Sequence, residues 1–153
     1  MRNTIALLLV SLGLVSGQVS KTASPERQAI LDYQLTLPRS NQLITAMEAM
    51  TKYVVSLPNF QDRMLKTMKM TPAERRAQVE KDPKAMAILQ QNGLTVQDYL
   101  VGVPALRMAL LAAQGAANNP NIIASPANVA FAKANLAALK PRMDAADGIG
   151  RRK

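Results

Sequence analysis

The residues that come closest to a metal-ligand pattern are three methionines. Met64, Met68 and Met70 form an M-x-x-x-M-x-M run, and soft thioether ligands favour Cu(I). A helix would place Met64 and Met68 on one face, whereas Met70, at about 100° per residue further round, need not join them. Lys66 and Lys69 stand inside the same run and would repel a cation. We therefore expect no cofactor, and interpret these methionines as adaptable core residues, with Cu(I) as the alternative.

Groups that commonly perform acid–base or nucleophilic catalysis are scarce. The chain has no His and no Cys, which excludes Ser-His-Asp and Cys-His arrangements and cysteine-ligated zinc or iron–sulfur sites. Carboxylates are present, but the sequence identifies no pair whose surroundings would separate their pKa values, as an acid–base pair requires. We therefore expect no enzyme and no catalytic residues. A hydrolase would need a deep pocket on which two or more carboxylates converge.

The positive charge of the chain is the feature that indicates most about its binding partners. Lys and Arg number 19 against 10 Asp and Glu, a net charge of +9. Seven cations and four anions fall in residues 62–84, and six cations and two anions in residues 133–153. The candidate partner-binding basic surface comprises Arg75, Arg76, Lys140, Arg142, Arg151, Arg152 and Lys153. These cations would either be simply solvated or attract an anionic envelope component or an acidic protein. Without aromatic residues among them, we expect no nucleic-acid partner.

The amino-terminal residues have the pattern of a secretory signal peptide. Arg2 supplies a positive charge, Ile5–Val15 is apolar, and Val15 and Gly17 are small residues at the −3 and −1 positions of a cleavage site. We predict residues 1–17 as a signal peptide cleaved before Gln18, and a periplasmic or secreted mature protein. The absence of Cys fits an oxidising compartment. An uncleaved anchor is the alternative, but its apolar run is shorter than the ~20 residues that span a bilayer.

A second apolar stretch, Tyr99–Gln114, is predicted to be a buried core helix. It is short for a bilayer span, and it contains Pro104 and Arg107. Arg at the bilayer centre costs about 2.5 kcal/mol or more. We therefore predict no transmembrane segment in the mature chain.

Proline and oxygen-bearing side chains mark the helix starts. Four dipeptides place a capping side chain before a proline, namely Ser24-Pro25, Thr71-Pro72, Asp82-Pro83 and Ser125-Pro126. The side-chain oxygen accepts a free backbone N–H, and proline fits the first helical position. Thr71 and Glu74 form a capping box, and Thr95 and Asp98 form a weaker one.

Apolar residues at helical spacing predict the elements between these signals. The predicted helices cover about Pro38–Ser56, Pro72–Lys81, Pro83–Gln91, Thr95–Gln114 and Pro126–Lys140. Asn59–Met70 is expected to add a helical turn or two, and Pro141 to end the last helix. Tyr33, Leu35 and Leu37 alternate as in a short strand, but no second strand is evident to pair with it.

These elements predict an all-α fold, a single irregular or orthogonal bundle of about five helices. The bundle would occupy residues 18–141 after the signal peptide. Residues 142–153 are predicted to be a flexible basic tail, because their glycines and cations bury too little apolar area to offset the entropy of ordering.

Two segments resemble known groups of exported proteins. Leu94, Thr95 and Tyr99, followed by Pro126, Asn128 and Phe131, form a pattern that resembles small secreted bacterial helical proteins of unknown function, over about residues 93–139. This resemblance implies a helical fold and export, and no catalytic residues.

The stretch MTPAERRAQ, Met70–Gln78, is similar to the helix-opening motif of Spy/CpxP-type periplasmic chaperones and stress sensors. Proteins of this type use Leu-Thr-x-x-Gln helix starts, and the two corresponding starts of this chain, at Met70-Thr71 and Leu94-Thr95, both lack the Gln. We therefore expect a non-catalytic exported helical protein that acts by binding an unknown protein or an anionic envelope component. The alternative is a Spy/CpxP-like periplasmic chaperone or envelope-stress factor.

Overall fold

A computed structural model describes residues 24–148 of the chain. In this range it has no strand and seven α-helices, which are α1 (Pro25–Asp32), α2 (Leu37–Ser56), α3 (Phe60–Met68), α4 (Pro72–Glu80), α5 (Pro83–Gln91), α6 (Val96–Ala113) and α7 (Pro126–Gly148). The all-α prediction is confirmed, but the helix count exceeds the expected five because α1 and α3 are complete helices. The predicted signal peptide, with its cleavage site, and Arg151, Arg152 and Lys153 lie outside the described residues.

The predicted capping signals do begin helices. Ser24 Oγ accepts the Arg27 N–H at 3.3 Å at the start of α1, and both proposed capping boxes, at α4 and α6, are formed. Each side-chain oxygen satisfies a backbone N–H that has no partner inside the helix. The local sequence therefore determines where these helices begin.

The core is built around α6. Nine residues of α6 are buried, and the helix packs against α1, α2, α4, α5 and α7. The side chains of Leu43 on α2, Leu89 on α5, Leu106 on α6 and Leu139 on α7 have no exposed surface. Burying a side chain of this size contributes about 1.5–3 kcal/mol, so these leucines hold the four helices together.

By length and composition, one helix of residues 24–148 is apolar enough to cross a membrane. It is α6, Val96–Ala113, with a mean hydropathy of 1.2 over 18 residues, half of them buried within the fold. The core helix of a folded domain has the same properties, and α6 contacts five other helices in this way.

The carboxyl-terminal helix is longer than predicted. Pro141 lies inside α7, which continues to Gly148, so the predictions that Pro141 ends the helix and that residues 142–148 are a flexible tail are wrong. Proline removes one helical hydrogen bond, but the turn beyond it buries Met143 and Ala146. Asp147 also forms an ion pair of 2.6 Å with Arg107 on α6. These tertiary contacts offset the cost of the proline.

The link between α1 and α2 is held by a single buried side chain. Asn128 on α7 accepts the Leu35 N–H at 3.1 Å and donates to the Tyr33 carbonyl at 2.6 Å. Its amide therefore satisfies a backbone donor and acceptor that would otherwise be unpaired. No strand forms at this alternating segment, and Leu37 is already the first residue of α2.

Candidate binding groove

A half-open apolar groove of about 380 Å³ lies between α2, α3, α4 and α6. We call it the α3 groove. Its lining residues are Met50, Tyr53, Val54, Leu57, Phe60, Arg63, Met64, Thr67, Met68, Arg75, Gln78, Val79, Asp82, Ala85, Tyr99 and Leu100. An apolar concavity with a few convergent polar groups is the usual form of a ligand site.

Helix α3 forms one wall of this groove. Phe60, Met64 and Met68 follow one another at four-residue intervals, which places them on one face of the helix, towards the groove. None of the nine residues Phe60–Met68 is buried, and Leu65 is 54% exposed. This wall of the groove is therefore held by little burial, as are α1 and α4, in which no residue is buried either.

The methionines singled out in the sequence divide between two environments. Met64 and Met68 both line the α3 groove and are 45% and 51% exposed. Met70 follows α3, is partly buried and is not part of the lining. The third methionine of the groove is instead Met50 from α2, which is buried. The interpretation as core residues is therefore wrong for Met64 and Met68, which form an adaptable apolar wall of the groove. The Cu(I) alternative stays a prediction.

Two polar side chains in the groove, Tyr53 and Asp82, are bonded to each other. The Tyr53 hydroxyl donates to Asp82 Oδ2 at 2.8 Å, and this hydrogen bond raises the pKa of the Tyr53 phenol. Asp82 Oδ1 accepts the backbone N–H groups of Lys84 and Ala85 at the start of α5. The Asp82 carboxylate is therefore engaged by three donors and serves to cap a helix and orient Tyr53.

The charged lining residues are two arginines and that one carboxylate. Arg75 Nη2 donates to Glu26 Oε1 on α1 at 2.8 Å, and both side chains are partly exposed. Arg63 has no ion-pair partner within residues 24–148. Among the lining residues, cations therefore outnumber anions by one, and Glu26, which does not line this groove, balances the charge of Arg75.

A second groove of about 740 Å³ lies between α1, α4 and α6. Arg75, Tyr99 and Leu100 line both grooves, so the pair between Glu26 and Arg75 stands at their common border. Burial raises the pKa of Tyr99 to about 12, and its phenol is therefore neutral at physiological pH. The border between the grooves is apolar except for this ion pair and the phenol.

The four described members of the candidate basic surface occur on two helices, α4 and α7. Arg76 pairs with Glu80 at 3.1 Å on α4, and Lys140 pairs with Asp144 on α7. Arg142 donates to Asn41 and Thr45 on α2, so it helps to dock α7. Of the four described members of the predicted basic surface, Arg75 is the one that lines the α3 groove.

Sequence reasoning did not find Tyr53, Phe60, Val79 or Tyr99 as site residues. They come from four different helices, and each is an ordinary apolar or aromatic residue that the pattern assigns to the core. The available signal was the four-residue spacing of Phe60, Met64 and Met68. The groove arises from the way the helices pack.

No protein-family model matches the chain, and the comparisons with curated proteins and with solved structures found no similar protein either. The resemblances to small secreted helical proteins and to Spy/CpxP-type proteins therefore stay predictions. The residues of the first resemblance nevertheless have structural roles here. Thr95 caps α6, Leu94 is buried and Asn128 holds the link before α2.

Proposed function

We propose that this protein is exported and acts by binding, and that the α3 groove receives the apolar part of its ligand. The observation that carries the proposal is the groove itself, an apolar concavity of about 380 Å³. Ligand sites commonly occupy about 300–1,000 Å³ and are mostly apolar. The apolar run Ile5–Val15 supports export.

The adaptability of one wall further supports binding. Met64 and Met68 are unbranched and flexible, as at surfaces that accept ligands of varied shape. Because α3 buries none of its nine residues, it can shift at little cost in buried area. Such a wall can adjust to a ligand without disturbing the core around α6.

The polar lining supports binding in preference to catalysis. Asp82 is the one carboxylate among the lining residues of the α3 groove, and its oxygens accept from Tyr53, Lys84 and Ala85. An acid–base pair would need a second titratable group in a contrasting environment. We infer that these polar groups orient a ligand and support the helices.

The test is binding of a neutral apolar dye, N-phenyl-1-naphthylamine, to the mature protein. The chain contains no Trp, so dye emission is free of tryptophan background. We expect the double variant Met64→Gln, Met68→Gln to bind the dye about tenfold more weakly, because two apolar contacts are lost.

The matched control is Leu37→Gln, Leu111→Gln, since Leu37 and Leu111 are also exposed but do not line the groove. It should bind the dye like the wild type. Equal loss in both double variants, or no saturable binding by the wild type, would show that the α3 groove is not the site.

A second candidate function is the holding of unfolded chains, as proposed for a Spy/CpxP-like protein. The specific observation in its favour is the exposed apolar face of α3, with Met64, Leu65 and Met68 each 45–54% exposed. Suppression of aggregation of a reduced model substrate at stoichiometric ratio tests it. Loss of suppression on Leu65→Gln, but not on Leu111→Gln, is the expected result, and no suppression by the wild type would remove this candidate.

A further inference from the structure

At the border of the two grooves, the carboxylate of Glu26 occupies Arg75. The carboxylate of a bound ligand could occupy the same position. Glu26 Oε1 accepts from Arg75 Nη2 at 2.8 Å, and Arg75 lines both grooves. The pair is exposed, with 36% of the Arg75 side chain and 48% of the Glu26 side chain accessible. An exposed pair of this kind is weak and is readily exchanged for another.

The helix that supplies Glu26 packs against α6 without burying any of its own residues. None of the eight residues of α1, Pro25–Asp32, is buried, and the firm attachment comes after it, where Asn128 holds Tyr33 and Leu35. The first turn of α1 can therefore move away from Arg75 without loss of core packing.

We propose that the ligand of the α3 groove is an amphiphile with one carboxylate, and that Arg75 binds this carboxylate in exchange for Glu26. This inference rests on the proposed function. The alkyl part would lie along Met68, Val79 and Leu100, which line the groove together with Arg75. Glu26 thus acts as an internal competitor that occupies Arg75 while the groove is empty.

Charge complementarity selects the anionic ligand. Arg63 and Arg75 face a single carboxylate in the lining, that of Asp82. The Asp82 oxygens already accept from Tyr53 and from two backbone N–H groups. The Arg75 guanidinium has five N–H donors and gives one of them to Glu26. This planar donor group binds carboxylates and phosphates in bidentate fashion, and the Glu26 carboxylate bonded to it shows that a carboxylate fits this position.

The experiment compares three ligands of equal chain length, octanoate, 1-octanol and octylammonium, as competitors of the bound dye. We expect octanoate to bind the wild-type protein about tenfold more tightly than octanol, from one charge-assisted hydrogen-bonded contact, and octylammonium to bind more weakly than octanol.

Two variants assign this preference to the border residues. Arg75→Gln should reduce octanoate affinity to that of octanol, whereas Arg75→Lys should retain part of the preference. Glu26→Gln should increase octanoate affinity about two- to fivefold, because it removes the competing carboxylate, and should leave octanol affinity unchanged. Lys52→Gln is the matched control. It also breaks an exposed ion pair, with Glu48, but lies outside both grooves.

The outcomes separate this inference from the proposed function. Equal affinity for octanoate and octanol, or the same effect of Arg75→Gln and Lys52→Gln, would overturn the carboxylate assignment while the groove remains a binding site. A protein that binds the dye and none of the three ligands would also overturn it. Failure to bind the dye at all would overturn both. Thermal unfolding of each variant identifies any loss of affinity that comes from loss of folded protein.

Discussion

Gly102 shows how a single missing side chain allows two helices to approach. A Cβ atom added at this position on α6 would lie 2.8 Å from Cζ and Oη of Tyr33 and 2.9 Å from Cδ1 of Leu43. Tyr33 is held through its carbonyl by Asn128, and Leu43 is fully buried. Leu43 has no free surface into which it could move, so glycine favours close packing here.

We therefore predict that Gly102→Ala destabilises the protein. Overpacking costs about 1–3 kcal/mol, which exceeds the gain of about 1 kcal/mol from the higher helix propensity of alanine. Chemical denaturation measures the difference in the free energy of unfolding. Gly148→Ala is the control, because in the described part of the chain no heavy atom lies within 4 Å of an added Cβ there. Equal stability of the two variants would refute the packing argument.

At the scale of the element, the start of α6 depends on a charged side chain. Asp98 Oδ2 accepts from the backbone N–H of Thr95 at 3.0 Å and from its hydroxyl at 2.7 Å. Burial raises the pKa of the Asp98 carboxyl, but these hydrogen bonds and the nearby Arg39 guanidinium outweigh it, and the pKa is lower than the ordinary 3.8. The capping box is therefore formed by the ionised carboxylate.

The lowered pKa of Asp98 predicts a pH-dependent stability. Because this pKa is lower in the folded than in the unfolded state, the ionised Asp98 side chain contributes its full share of the free energy of unfolding above pH 3.8. It is lost as the pH falls through the folded value. We expect Asp98→Asn to lower the Tm by about 2–4 °C at pH 6, and the two Tm values to converge towards pH 2.5.

The control for this prediction is Asp144→Asn, which removes an exposed i,i+4 partner of Lys140. Such pairs contribute little, so its Tm should stay within about 1 °C of the wild type throughout. A difference for Asp98→Asn that is the same at pH 6 and pH 2.5 would show that the charge of Asp98 does not stabilise the box.

For the whole molecule, the methionines separate the core from the proposed site. Met47 and Met143 are each 4% exposed, whereas Met64 and Met68 are about half exposed on α3. The molecule thus has a rigid part around α6 and an adaptable part at the groove. This division would let the wall of the proposed binding groove change shape while the core keeps its packing.

The division predicts opposite results for two equivalent truncations. Met143→Ala should destabilise the protein by about 2–5 kcal/mol, because it leaves a cavity in the core. Met68→Ala should change the free energy of unfolding by no more than about 0.5 kcal/mol but weaken dye binding. Denaturant unfolding of both variants is the measurement. A small effect of Met143→Ala would mean that residues 142–148 do not pack as part of the domain.

Much of the fold was predictable because its signals are local. The predicted bounds of α5, Pro83–Gln91, match the observed ones. The prediction for α2 differs by one residue at its start, and that for α6 by one residue at each end. A capping side chain, a proline and an apolar period act within a few residues of one another. Their effect on the backbone can therefore be predicted without knowledge of the tertiary structure.

The all-α class, most helix starts and the excess of positive charge follow from the amino-acid sequence alone. Tertiary structure decided the rest, including the continuation of α7 through Pro141, the exposure of Met64 and Met68, and the meeting of Arg75 with Glu26. The physical reason is that local preferences are short-ranged. Contacts between residues tens of positions apart depend on how whole helices pack. The free energy of that packing outweighs the cost of Pro141 in α7, and the same packing leaves the α3 groove between four helices.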